Sequence, residues 1–360
     1  MKEVIKDSLK NMATLIHVIC TEYYMTPILL PILSEKSKLS LDVLKMAANN
    51  NVLVALVLSL EKNKKLLELE GNLIEIIDGI ASMVNRYNTL IRHTLTILDS
   101  TLGTEYMLFK ISRFIPRLHD DLDILVVNFK EAINSLKKIN GVHMVHYFPE
   151  IKEAVFEGKW IHRIHVHGMI TWSGGRFIDE SSIFDNSCFI KWYGHNVRVT
   201  DYVDEFCINI AHINYEDLYI DLCDFITLCI LAQNIHDVSS VTNKVKEYRW
   251  IKTFYSTINI LSSLHKKIFG EGSSPFLKFA SKHDHRYSKL KHSRMPFFPV
   301  ELPRTHIVKA FIEKHLITHI LKRWLKAGII LLTGSTFKHG KGSPERIMLM
   351  QVLKTYSNAL

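Results

Sequence analysis

The 360-residue sequence predicts an α+β fold in which a small mixed sheet with flanking helices sits between two helical parts. Three observations lead there. Residues 1–60 carry apolar runs suited to helices. Over residues 101–200 glycines cluster, aromatic and β-branched residues rise, and short apolar runs alternate with turns, as in a sheet. From about Asp201 to Phe269 the helical spacing returns through Phe206, Ile210, Ile213 and Leu218, then Leu222, Phe225, Ile226 and Cys229. With 47% hydrophobic and 22% charged residues, the composition excludes a disordered, collagen-like or coiled-coil chain.

Taken in order, residues 1–33 read as one or two buried helices. The apolar stretch 13–33 holds His17, Glu22, Pro27 and Pro31, which argues against a membrane span. Glu3 and Asp7 do not fit the basic-then-apolar order of a signal peptide. Ser40 is placed to cap a helix over Leu41–Ala48, and a second apolar segment covers Val52–Leu60. Residues 66–77 then alternate apolar and acidic side chains around Glu70-Gly71-Asn72, the pattern of a hairpin. Two helices and a hairpin suggest a winged-helix-like region over residues 1–95. Residues 1–100 hold 11 basic and 11 acidic side chains, a balance that favours a structural or partner-binding module over a DNA reader.

The next region, 96–200, should hold the sheet, with apolar runs at Ile124–Phe129, Val142–Phe148, Ile161–Trp172 and Cys188–Val199 and a helix from residue 128 or 129 to Asn140. A helical bundle follows over 201–270, and Gly270-Glu-Gly-Ser-Ser-Pro275 reads as a linker. Beyond it, residues 276–360 form a basic, largely helical part with a strong helix expected over Thr305–Ala327 and a Gly- and Lys-rich loop at Gly334–Gly342. Cys20, Cys188, Cys207, Cys223 and Cys229 form no C-x-x-C pair, which points away from disulfides or a cysteine zinc site and toward a reducing cytoplasm.

The residues that can carry chemistry centre on His119-Asp-Asp-Leu-Asp-Ile-Leu-Val-Val127. On a strand, residues two apart share a face, so Asp121 and Asp123 present both carboxylates to one place, a pairing suited to Mg²⁺ and phosphate oxygens. The bland alternative is a polar turn before a strand. Upstream, Gly103-Thr104 stands before a helix expected near Glu105, where backbone N–H groups and the Thr104 hydroxyl can meet a phosphate. His162, His165 and His167 fall on a later strand, where His165 and His167, at alternate positions, face the same way and offer a pair of ligands for Zn²⁺ or a similar ion, or simply a polar face. His212 and Asp224 fall on the helical bundle as polar anchors. No G-x-S-x-G, Walker-type phosphate loop or dinucleotide fingerprint occurs.

Over residues 95–235 the chain resembles the DNA polymerase β-like nucleotidyltransferase superfamily. Leu102-Gly103-Thr104 stands where that superfamily has an apolar residue, Gly, then Gly or Ser, and Asp121-Leu122-Asp123 stands at its Asp-x-Asp. Pro116–Val126, Arg163–Trp172, Ala211-His212 and Leu222-Cys-Asp224 look like a largely archaeal branch of it. The resemblance implies a nucleotidyltransferase-type sheet and transfer of a nucleoside monophosphate from an NTP to a hydroxyl. It also implies Mg²⁺ (or Mn²⁺) held by Asp121 and Asp123, and nucleotide contacts from Gly103, Thr104 and Arg117. The branch carries a third carboxylate in an Asp-x-His pair, where this chain has His165-Val166-His167. His165 therefore stands at the acid's place, as a neutral proton acceptor or as the mark of an impaired site that only binds nucleotide or nucleic acid.

The formal charge of +9 is uneven. Residues 278–360 hold 16 basic and 4 acidic side chains, leaving 29 and 32 for residues 1–277. Such a concentrated field is the footprint of a polyanion partner, RNA or DNA, or else a solvated face. Lys282, Arg286, Lys289, Lys291 and Arg294 are the candidate phosphate contacts, with Tyr287 available to stack on a base. Lys322, Arg323 and Lys326 form a second cluster, or serve the dipole of the helix they close.

Overall fold

The computed structural model describes residues 2–25, 38–62, 68–69, 73–111, 113–172, 175–270, 274–279, 298–315 and 343–357. The chain opens with α1 (Lys2–Tyr23), β1 (Lys38–Leu39), α2 (Leu41–Asn49), α3 (Leu53–Lys62) and β2 (Glu68–Leu69), and β1 pairs in parallel with β2. Helix α3 buries Leu53–Val57, Ser59 and Leu60, which is what its nearly all-apolar sequence demands.

The thirty-residue α4 (Leu73–Leu102) corrects two expectations. Leu73–Ile77, expected as the return strand of a hairpin, are its first turns. Leu73, Ile76, Ile77 and Ile80 are buried while Ile74, Glu75 and Asp78 are exposed, a helical period that five residues of alternation cannot be told from. With β1 and β2 parallel and Leu73–Ile77 helical, the expected hairpin wing does not form. Second, the helix precedes Gly103 instead of starting near Glu105. Gly103 adopts φ +58° and its N–H bonds Asp99 O at 3.1 Å, a left-handed C-terminal stop. Strand, not helix, comes next. The boundary expected at residues 95–96 falls inside α4, whose two halves serve different cores.

The sheet is built from β3 (Tyr106–Leu108), β4 (Leu122–Val126), β5 (Val142–Phe148), β6 (Glu153–Gly158), β7 (Ile161–His167), β10 (Cys188–Trp192) and β11 (His195–Val199), with α5 (Phe129–Leu136) after β4. Its spatial order is β10-β11-β3-β4-β7-β6-β5. Strand β4 runs antiparallel to β3 and parallel to β7, with Asp123 opposite His165 and Leu125 opposite His167. Strand β6 lies antiparallel to β7 and sets Glu153 opposite His167. The short β8 (Thr171–Trp172) and β9 (Gly175–Arg176) pair beside it, followed by α6 (Glu180–Asn186).

The remaining helices are α7 (Tyr202–His212), continued by a π turn over Ile213–Asp217, then α8 (Leu222–Asn234), α9 (Val238–Glu247), α10 (Ile251–Phe269), α11 (Arg304–His315) and α12 (Pro344–Ser357). Strand β12 (Tyr219–Ile220) pairs with β13 (Val300–Glu301). Aspartates cap three of them: Asp201, Asp221 and Asp237 accept from the first-turn N–H groups of α7, α8 and α9.

Two cores result. On one face of the sheet Leu108, Leu122, Ile124, Phe156, Ile164 and Val166 pack on Ile91, Leu95 and Leu98 of α4 and on Ile133 and Leu136 of α5. On the other, Met107, Phe109 and Leu125 join the helical core of α1–α3, the first half of α4 and α7–α12. Strand alternation therefore sends Asp123, His165 and His167 toward the helices. The described C-terminal stretches belong to that helical core through Phe298, Leu302, Ile307, Phe311, Met348 and Leu349. Lys282, Arg286, Tyr287, Lys289, Lys291, Arg294, Lys322, Arg323, Lys326 and the Gly334–Gly342 loop lie outside the described residues. Among the described residues, no helix is long and apolar enough to cross a membrane.

Candidate metal centre and cleft

Between the inner face of the sheet and the helical half lies a cleft of about 840 Å³, within the usual range of small-ligand sites. Its floor is β4, β6 and β7. Its far wall is the π turn after α7, the start of α8, the α2–α3 turn and Ser343-Pro344 ahead of α12.

On the floor, Asp121, Asp123, Glu153, His165 and His167 converge. His165 Nδ1 lies 3.4 Å from both Asp121 Oδ2 and Asp123 Oδ1. Its Nε2 lies 2.9 Å from Glu153 Oε1, an ion-pair distance, though off the line of a hydrogen bond. His167 Nε2 meets Asp123 Oδ1 at 3.0 Å, and the two imidazole rings are 4.0 Å apart. Lys110 Nζ takes the other oxygen of Asp123 at 3.0 Å.

The electrostatics follow from that crowding. Burial alone would raise the Asp123 carboxyl, but Lys110 and the two imidazoles hold it well below the usual carboxylate range. Burial opposes charge on His165 as well. Its contacts with Asp121, Asp123 and Glu153 outweigh burial and raise it to about 11, so without a metal the ring is an imidazolium. His167, deeper, is lowered by burial despite Asp123. Glu153 is lowered by His165.

The far wall carries a second set of charges. Arg117 stands 3.5 Å from Asp224 Oδ1 and donates through Nη2 to Lys110 O at 3.3 Å. Asp224, raised by burial, sits in the first turn of α8 behind its cap Asp221, which also accepts from Asn51 Nδ2 at 2.6 Å. His212 Nδ1 is 2.8 Å from Asp217 Oδ2. His212 and Asp224, expected as polar anchors of the bundle, are paired as anchors are, and both also line the cleft.

Of the residues singled out from sequence, Asp121, Asp123, His165 and Arg117 come together in this cleft. Gly103 and Thr104 do not. Both are exposed at the opposite end of β4, where Val127 N bonds Glu105 O, so the antiparallel β3–β4 pair carries them away from Asp121. The cations near the carboxylates arrive instead from the segment joining β3 to β4, through Lys110 at φ +55° and Arg117. Lys110, Glu153 and the cleft-lining Asp217 were missed. The signal for Glu153 was the short apolar run Ala154-Val-Phe156 between two acids, which is consistent with a buried strand. A lone lysine in the apolar run Tyr106–Ile111 was the signal for Lys110.

Compared with known proteins, the chain matches no family model, no curated protein and no solved structure.

Proposed function

We infer that the chain is a metal-dependent nucleotidyltransferase that moves a nucleoside monophosphate from an NTP to a hydroxyl acceptor bound in this cleft. The observation that carries the reading is the convergence of Asp121 and Asp123 with residue 165 of the parallel neighbour β7 on the floor of a ligand-sized cleft. Glu153 supports it by returning a third carboxylate to the site from β6, where sequence placed a histidine instead. Lys110 and Arg117 supply the cations that a triphosphate needs, held in place by Asp123 and Asp224. Asp121, at 26% side-chain exposure against 9% for Asp123, is the more open of the two carboxylates.

The donor set does not fit the pair of Mg²⁺ ions that the resemblance implies. His165 and His167 occupy two of the converging positions, Mg²⁺ takes oxygen, and both oxygens of Asp123 are engaged by Lys110 and the imidazoles. No step is therefore assigned to Mg²⁺.

A second reading, a nucleotide-binding protein without turnover, is favoured by one observation: His165 lies within 3.4 Å of three carboxylates and already balances them from inside. One experiment separates the two. The full chain is incubated with α-labelled NTPs, total RNA and Mn²⁺, and label is followed into protein and RNA. Transfer that Asp121→Asn and Asp123→Asn abolish supports the transferase. Binding of the NTP without transfer supports the second reading, and neither binding nor transfer removes both.

A further inference from the structure

The floor of the cleft has the donor set of a transition-metal centre. Asp123, His165 and His167 each offer one ligand atom, and these lie within 4.8 Å of one another. Asp123 and His167 are 8% and 7% exposed, and all three residues line the cleft. We propose that this chain binds one divalent first-row transition ion, of the Zn²⁺, Mn²⁺ or Fe²⁺ class, through Asp123 Oδ1, His165 Nδ1 and His167 Nε2, with Asp121 as a further oxygen ligand.

The distances suit it. Donors about 2.0–2.1 Å from a tetrahedral metal stand roughly 3.3–3.4 Å apart. Here both imidazole nitrogens point at the same carboxylate oxygen, from 3.0 and 3.4 Å, and Asp121 Oδ2 is 3.4 Å from His165 Nδ1. The donor types select the ion: two imidazoles with carboxylate oxygens suit zinc, iron or manganese, whereas Mg²⁺ and Ca²⁺ take oxygen alone.

The surroundings complete the assignment. Once Nδ1 of His165 is given to a metal, its other ring nitrogen lies 2.9 Å from Glu153 Oε1, and a turn of the ring that brings the two into line makes the carboxylate–histidine–metal arrangement in which an outer acid fixes the tautomer and strengthens the ligand. Glu153 is thus a positioning residue for His165. Lys110 holds the far oxygen of Asp123, and Oδ1 exchanges its 3.0 Å contact with the His167 ring for the ion that both then bind. The register of β4, β7 and β6 makes the arrangement, because Asp123 faces His165 across one ladder and Glu153 faces His167 across the next.

The inference rests on the transferase reading for the role of the site, but its test needs no turnover. Full-length protein is stripped with chelator and loaded with Mn²⁺ alone, with Mg²⁺ as competitor. One Mn²⁺ should bind per chain, and pulsed EPR of the wild-type complex should show ¹⁴N couplings from imidazole. A hundredfold excess of Mg²⁺ should leave them in place. Asp123→Asn should weaken Mn²⁺ about 100-fold or more, and Glu153→Gln about tenfold. Absence of ¹⁴N coupling, or displacement by equimolar Mg²⁺, overturns the proposal without reference to any mutant's folding. Nitrogen-coupled Mn²⁺ without label transfer would leave this inference standing and remove the transferase. Label transfer in Mg²⁺ alone, undiminished in His167→Gln, would do the reverse.

Discussion

Glu345, in the first turn of α12, is fully buried and ties the C-terminal helix to the two segments that frame the cleft. Its Oε2 accepts from Leu53 N at the start of α3, and its Oε1 accepts from Leu118 N at 3.2 Å in the segment that carries Lys110 and Arg117. Burial raises the carboxyl from the ordinary 4.5 to about 8, even though backbone donors and Arg117 pull the other way. A carboxyl whose folded value lies above its unfolded one binds its proton more tightly when folded. Its contribution is therefore complete below about pH 4.5 and is lost as pH rises toward 8. The shift sets a ceiling of roughly 5 kcal/mol on that loss. Glu345→Gln removes the titration but leaves one of the two backbone donors facing an amide –NH₂, a pH-independent cost of about 1–3 kcal/mol. Urea unfolding of both proteins from pH 5 to 8.5 isolates the residue. The variant should be the less stable at pH 5 and should gain on the wild type steadily as pH rises. A stability difference that stays flat across that range would refute the argument.

Three further outcomes are expected. Lys110→Met takes one of two cations from the buried Asp123 carboxylate, leaving it the His165 imidazolium, and should cost about 1.5–3 kcal/mol in chelator, read from the shift in urea midpoint, and an unchanged midpoint would show the pair to be idle. His165→Asp exchanges an internal cation for an oxygen ligand, so Mg²⁺ at a hundred times its Kd should stabilise the variant by about 3 kcal/mol, visible as a rise of several degrees in Tm that the wild type does not show. Replacing Lys282, Arg286, Lys289, Lys291 and Arg294 together with Gln should flatten the log–log salt dependence of RNA or DNA binding by about 0.7–0.9 for each phosphate no longer neutralised, and an unaltered slope would mean these side chains meet no phosphate. The full chain is needed for that comparison, because cutting at Gly270 removes Phe298, Leu302, Phe311 and Met348 from the core.

The heart of the site was legible because its signals are local. Asp121 and Asp123 lead into the apolar run Ile124–Val126, short and largely β-branched as a buried strand is, and His165 and His167 repeat the same two-residue spacing. That β7 lies beside β4 and not elsewhere in the sheet is a matter of tertiary pairing, and no spacing encodes it. Glu153 was lost because β6 has only the three buried residues Ala154–Phe156 between half-buried acids, an apolar run too short to stand out. Gly103 was misplaced for a different reason: glycine is far commoner just past a helix C-terminus, where it is found, than at the helix start expected of it. The far wall of the cleft was out of reach. Asn51, Asp217 and Ser343 are brought together across most of the chain by packing alone.

The most direct test of the account is a crystal structure of the full chain grown with Mn²⁺ and a non-hydrolysable NTP, with data collected at the manganese edge. The account predicts one anomalous peak bounded by Asp123 Oδ1, His165 Nδ1 and His167 Nε2, with the polyphosphate in the cleft beside it, in reach of Lys110 and Arg117. Nucleotide bound elsewhere, or a cleft that stays free of nucleotide at saturating concentration, would contradict it.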